Sequence, residues 1–261
     1  MEFSYETITV GSLAVLFGLL FLSSFIDAIA GGGGLISLPA YLLTGMPAHY
    51  ALGSNKMSAS CGTLIATFNY LRSGVLDWRI AVISAACSFV GSACGSTAAL
   101  HIDDAVLKKA IVFILPAAAV IILSKRNLSD DDFSADIPKR KRLIFAACIG
   151  LFIGFYDGII GPGTGTFAIM AYCLVMKYDL RTASGNAKML NLASNVASAI
   201  TFALAGTVAW KLCIPGAFFC ILGGQVGSRL AIARGAKFIR PMLIVVLVMI
   251  LGKLAMDVFL A

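Results

Sequence analysis

Asp27-Ala28-Ile29-Ala30-Gly31-Gly32-Gly33-Gly34-Leu35 interrupts an apolar run of helical length, and a second apolar run follows at once. A stretch of the same kind, Asp157-Gly158-Ile159-Ile160-Gly161-Pro162-Gly163-Thr164-Gly165, stands 130 positions later. Glycine loses the most backbone entropy on ordering, and proline cannot continue a helix, so both stretches break helices. In water such a run is a surface loop. Between segments that belong in lipid, a broken backbone survives only where it is buried in protein or lines a polar cavity. Two such breaks at matching places in two halves of a chain point to a transport site.

Composition places the chain in a membrane. Its 261 residues are 59% hydrophobic and 13% charged, with mean hydropathy +0.94, whereas soluble domains carry about 25% charged residues. The net charge of +7 does not indicate a nucleic-acid partner, because basic residues of membrane proteins collect in cytoplasmic loops. The lipid bilayer is the expected partner, and self-association is left open. The seven cysteines lie singly within apolar runs without CxxC or Cys/His spacing, so neither a disulfide framework nor a metal site is expected. They read as buried free thiols. The first apolar run has no basic residue before it, the first being Lys56, so it is expected to be retained and not cleaved as a secretory signal.

The hydropathy pattern predicts an all-α polytopic fold. Spans are expected at 8–29, 55–71, 78–100 and 105–123, with a short apolar helix at 35–43 and a turn at 46–53. The polar stretch 125–142, with Asp130, Asp131, Asp132 and Lys139-Arg140-Lys141-Arg142, reads as a solvated linker. The pattern then returns: spans at 143–160, 186–205, 211–230 and 241–260, with a short helix at 167–176. Gly74 and Trp78 match Gly206 and Trp210; Gly91 and Gly95 match Gly223 and Gly227, each pair spaced for close helix packing. Internal duplication follows: residues 1–124 and 143–261 are two transmembrane repeats joined by the linker.

Counting each short helix as a crossing gives five per repeat, so the repeats are inverted relative to each other. A cytoplasmic linker then puts Arg72, Arg79, Lys177, Arg181, Arg229, Arg234, Lys237 and Arg240 inside and both termini outside. Four spans per repeat would make the halves parallel and place several of these residues outside, against the positive-inside bias. A hairpin in which the first span and the short helix each reach part-way has the same parity as five crossings.

An acid and a base recur in each repeat: Asp27 and Asp157 just before the breaks, Lys56 and Lys188 on the following spans. Each costs roughly 2.5 to 3.5 kcal/mol at mid-depth on the insertion scale, so a repeated one needs a partner or a task. One reading pairs Asp27 with Lys56 and Asp157 with Lys188 to pin the broken loops. Another lets both lysines snorkel to an interface. The functional reading turns the amides of Gly31, Gly32, Gly33 and Gly34 and of Gly161, Gly163 and Gly165 into a cavity. Lys56 and Lys188 add charge there, and Asn55, Asn186, Asn191 and Asn195 add neutral donors, although such asparagines serve equally in interhelical hydrogen bonds. A site of that kind prefers a small anionic substrate. Asp27 and Asp157 are candidates for proton coupling or ion pairing. Gly163-Thr164-Gly165-Thr166-Phe167-Ala168 fits a dinucleotide fingerprint but follows a membrane helix, not a strand, and is set aside. The two histidines, His49 and His101, fall in predicted outer loops. No catalytic residue, metal or cofactor is expected.

Asp27 to Gly34, Ser54-Asn55-Lys56, Gly154-Phe155-Tyr156-Asp157-Gly158 with Gly161-Pro162, and Ala187 to Asn191 with Ser194-Asn195 resemble the TauE/SafE sulfite-exporter family. The resemblance runs the length of the chain. It implies a multi-pass protein of the bacterial inner membrane that carries sulfite, sulfonates or related organosulfur anions as a secondary carrier. The rival readings are an anion channel, a membrane-embedded enzyme, which lacks a nucleophile–base set here, and a scaffold subunit without flux.

Overall fold

The computed structural model describes residues 9–103, 106, 131–235, 237–239 and 241–242. Among these residues the regular structure is helical. In chain order α1 is Val10–Ala30, α2 Gly34–Leu42, α3 Ala48–Arg72 and α4 Trp78–Leu100. A 3-10 turn at Ser134–Asp136 precedes α5 (Lys139–Ile159), α6 (Thr164–Met176), α7 (Leu180–Leu204) and α8 (Trp210–Arg234). The spans expected at 105–123 and 241–260 lie outside, or almost wholly outside, the described residues.

Local chemistry sets the helix starts. Thr9 and Ser12 cap each other's amides at α1, a capping box with serine in the reaching-back position. Asp77 accepts from Ile80 N at the start of α4, and Asp179 accepts from Arg181 N and Thr182 N at the start of α7. Pro47 and Pro138 immediately precede α3 and α5.

The helices sort by which face is polar. α1, α4, α5 and α8 are long and apolar enough to cross a membrane, and their outer faces expose Val15, Leu22, Phe89, Val90, Phe152 and Phe218. α3 and α7 have 25 residues each but carry Ser54, Asn55, Lys56 and Ser58, and Ser184, Asn186, Lys188 and Asn191, all buried. They form the centre, with their polar side chains turned inward, as polar groups at membrane depth require.

Contacts between helices give their directions. Gly91 and Gly95 of α4 lie against Leu151 and Phe155 of α5, so these two run the same way. Gly223 and Gly227 of α8 lie against Phe21 and Phe25 of α1 in the matching arrangement. Ser88 and Ser92 of α4 donate to the Leu190 and Ser194 carbonyls of α7, and Gly62 of α3 meets Gly224 of α8. In contrast α3 and α7 run oppositely: Lys56 meets Asn195 while Thr67 meets the Lys188 carbonyl. These directions gather Arg72, Arg79, Lys139–Arg142, Lys177, Arg181, Arg229 and Arg234 at one end of the bundle.

Several boundaries differ from the sequence expectation. α3 starts at Ala48, not at 55, because Pro47 begins the helix and Gly53 lets it continue tightly against Phe202 and Thr207. His49 therefore sits half-buried in the first turn of α3, its ring nitrogen 3.1 Å from the Ala99 carbonyl, whereas His101 is exposed just after α4. α7 starts at its Asp179 cap and α6 at Thr164. Lys139-Arg140-Lys141-Arg142, expected in the linker, is the first turn of α5. The linker is not wholly solvated, since Ser134 is buried and Phe133 N donates to the Lys177 carbonyl. Of the cysteines, 173, 213 and 220 are buried, 61 and 87 half-buried, and 94 and 148 exposed on the outer face of the bundle.

A methyl group on Gly91 or Gly223 would overlap the Leu151 or Phe21 carbonyl oxygen. Gly91→Ala and Gly223→Ala should each lower the thermal unfolding midpoint in detergent, at a cost of about 1–3 kcal/mol. Gly18→Ala, facing open space, should leave the midpoint unchanged or slightly raised. Equal midpoints for all three variants would contradict this packing.

Candidate functional site

The two breaks touch. α1 ends at Gly31, whose left-handed backbone (φ +80°) lets its N–H return to the Asp27 carbonyl at 2.8 Å. A side chain on Gly31 would collide with the main chain of Gly165 and Thr166, and one on Gly165 with the main chain of Gly31. Thr166 N donates to the Gly31 carbonyl at 3.1 Å, and the Thr166 hydroxyl to the Ala30 carbonyl at 2.8 Å. Gly34 packs against Pro162. The second break turns through Gly161 (φ +91°) and Gly163 (φ +86°), and Tyr156 pins it by donating to the Pro162 carbonyl at 2.7 Å.

The charged residues pair across the two halves of the chain. Lys56 Nζ lies 2.7 Å from Asp157 Oδ2, both side chains 2% exposed. Lys188 Nζ lies 3.2 Å from Asp27 Oδ2 and also donates to the Asp27 carbonyl. The lysine is wholly buried and the aspartate 18% exposed. This corrects the expected pairs Asp27–Lys56 and Asp157–Lys188: each lysine reaches the aspartate of the other half of the chain, because α3 and α7 run oppositely at the centre. Neither lysine snorkels.

Asparagines join the two pairs into one network. Lys56 donates to Asn195 Oδ1 at 3.3 Å, Asn195 to Asn191 Oδ1 at 3.4 Å, and Asn191 to Asp27 Oδ2 at 3.3 Å. Thr164 Oγ1 is 2.6 Å from Asp157 Oδ1, to which it donates.

A cavity of about 30 Å³, room for about two waters, lies between the breaks. Of the residues singled out in the sequence, Asp27, Gly31, Gly33, Gly34, Asn55, Lys56, Asp157, Gly161, Gly165, Asn191 and Asn195 line it. Gly32, Gly163, Asn186 and Lys188 do not. A side chain at Gly163 would face the Phe167 ring. Asn186 accepts from Asp77 N at 3.0 Å, at the basic end of the bundle. Lys188 lies behind Asp27, which it contacts from outside the cavity. Ser23, Ser24, Ser37, Ala59, Thr63, Thr164 and Cys220 complete the lining. Among the described residues no acceptor meets the N–H groups of Gly33, Gly34, Gly161 and Gly165, and Asn55, 5% exposed, leaves its Oδ1 without a partner. The site thus offers main-chain donors, one amide and two neutralised ion pairs at a buried, polar junction.

The family model described as sulfite exporter TauE/SafE matches residues 16–254. The chain belongs to the sulfite exporter TauE/SafE family. As a TauE/SafE member it is a membrane transporter. Among its relatives, a Haemophilus influenzae protein named "Probable membrane transporter protein" is 38% identical over 245 residues, 94% of this chain and 95% of the relative. "Probable membrane transporter protein ORF9" of Sinorhizobium is 36% identical over 94% of this chain and 93% of its own length. "Probable membrane transporter protein YfcA" of Escherichia coli K12 is 34% identical over 94% of this chain and 90% of its own length. No solved structure gives a significant match. The TauE/SafE match spans both broken helices and all four charged residues of the network.

Removing one partner of a buried pair costs about 3–5 kcal/mol, because the other charge is left uncompensated. Lys56→Met should lower thermal stability strongly, and Lys56→Met/Asp157→Leu should recover much of the loss. Lys56→Met/Asp27→Leu should recover none of it. Recovery by the Asp27 combination instead would refute the Lys56–Asp157 pairing.

Proposed function

We propose that this chain is a secondary carrier of small anions in the bacterial plasma membrane. Sulfite is the substrate its family description names, and small sulfonates share its anionic sulfur–oxygen chemistry. The observation that carries the reading is the cavity at the junction of the two breaks, where Lys56 and unpaired glycine amides meet. Main-chain N–H groups at helix starts favour oxyanions. The opposed directions of α3 and α7 support two repeats inserted upside down relative to each other, which rock about the fixed site. The gathering of basic residues at one end supports a cytoplasmic location for that end.

Charge counting gives the coupling. With both pairs formed, Lys56, Lys188, Asp27 and Asp157 sum to zero, so an arriving anion leaves an uncompensated negative charge in a medium that tolerates it poorly. A proton entering with the anion restores neutrality. Asp27 is the better seat for that proton, because it is more exposed, lines the cavity and has the longer ion pair, whereas Asp157 is sealed between Lys56 and Thr164. Protonated Asp27 releases Lys188 from full pairing and lets Asn191 turn toward the anion. A continuous pore between the breaks is disfavoured by the main-chain contact of Gly31 with Gly165.

Proteoliposomes containing the purified chain should take up radiolabelled sulfite, faster with unlabelled sulfite inside. Lys56→Ala should lower anion affinity, and Asp27→Asn should make the residual flux indifferent to a pH gradient. Uptake no better than in empty liposomes across a panel of sulfite, sulfonates and thiosulfate would overturn the proposal. Flux without trans-acceleration would favour a channel, and an unchanged pH dependence in Asp27→Asn would remove Asp27 as the proton site.

A further inference from the structure

We propose that the cleft between the N-terminal ends of α4 and α5 binds the phosphate headgroup of an anionic phospholipid. The cleft has a volume of about 110 Å³ and is lined by Asp77, Arg79, Ile80, Lys139, Arg142 and Leu143. Asp77 is already engaged: it accepts from Tyr178 Oη at 2.6 Å and faces Arg142 at 3.7 Å. That leaves Arg79 and Lys139 as surplus positive charge. The Arg142 Nε, buried, has no acceptor, and a phosphate oxygen supplies one in the geometry a guanidinium prefers.

The surroundings suit a lipid more than a free ion. Trp78, 59% exposed beside the cleft, has the amphipathic ring that settles at a bilayer interface. From Leu143 the outer face of α5 continues through exposed Ile144, Leu151, Phe152 and Phe155, an apolar track for acyl chains below the headgroup. Basic clefts between membrane helices on the cytoplasmic side are a known form of headgroup site.

The duplication supplies an internal control. Trp78-Arg79 corresponds to Trp210-Lys211, but Asp77 corresponds to Ala209, and Lys139-Arg140-Lys141-Arg142 to Thr9-Val10-Gly11-Ser12. At that corner of the other copy Thr9 and Ser12 cap each other's amides and no cation is present on α1. The fold therefore does not need the cations of α5 to close this corner. They stand at one end only, as anionic lipid concentrated in one leaflet requires. Because α4 and α5 belong to different repeats, a bound headgroup would clamp the halves together. The inference is independent of which solute is carried.

The test is thermal unfolding of the full chain in neutral detergent, titrated with phosphatidylglycerol, phosphatidylcholine or soluble glycerol phosphate. Phosphatidylglycerol should raise the midpoint and phosphatidylcholine should not. Arg79→Gln/Lys139→Gln, at two exposed positions, should keep its lipid-free midpoint and bind phosphatidylglycerol about 30-fold more weakly, the effect of about two basic side chains at an anionic surface. Equal effects of the two lipids, or an undiminished response in the double variant, would overturn the site. A full response to glycerol phosphate alone would overturn the lipid assignment in favour of a free phosphate.

Discussion

The main chain of one broken helix completes the other. At membrane depth every exposed carbonyl or amide costs free energy unless a partner is built in, and a lone break would leave several. Here Thr166, at the start of α6, donates to the carbonyls of Ala30 and Gly31 at the end of α1. That contact needs backbones to approach without intervening side chains, which is why Gly31 and Gly165 stand opposite each other. Everything polar in the centre follows from it. The helices flanking the breaks, α3 and α7, must then carry the groups that keep the junction neutral, and they are accordingly the least apolar long helices of the bundle.

The ion pairs between the two halves of the chain serve the same junction from outside. Each aspartate sits one turn before its own break and is held by a lysine from the opposite half. Any movement of one half of the chain against the other would have to work on these pairs directly, whereas pairs within a half would ride along unchanged. The asparagine bridge from Lys56 through Asn195 and Asn191 to Asp27 makes the two pairs one electrostatic unit. Asp27 is partly exposed and Asp157 sealed, so the two halves of the site are not equivalent.

Much of the frame was legible in the sequence. Consecutive glycines inside lipid-compatible runs marked the breaks, and the matched glycine pairs of α4 and α8 marked the close contacts with α5 and α1. The pairing of charges was not, because spacing along the chain favours the nearer partner, Asp27 with Lys56, while the crossing of α3 and α7 decides the true one. The hydroxyl lining of Ser23, Ser24, Ser37 and Thr63 carried no signal either: small polar residues are ordinary packing elements of membrane helices. The early starts of α3 and α7 were available in Pro47 and Asp179, which mark helix beginnings by their chemistry and which the hydropathy pattern alone passes over. Asn186 looked like a site residue because, like Asn55, it stands just before a lysine of the site, but it lies at the basic end of the bundle, where its Oδ1 accepts from the Asp77 amide.

Sulfite has a heavier analogue whose position can be read without ambiguity. Anomalous diffraction at the selenium edge from crystals soaked in selenite should give one peak in the cavity between Gly33, Lys56 and Asn191, within hydrogen-bonding reach of glycine amides from a break. A cavity without anomalous signal at saturating selenite, or peaks confined to the basic outer end of the bundle, would contradict an anion site built from two joined breaks.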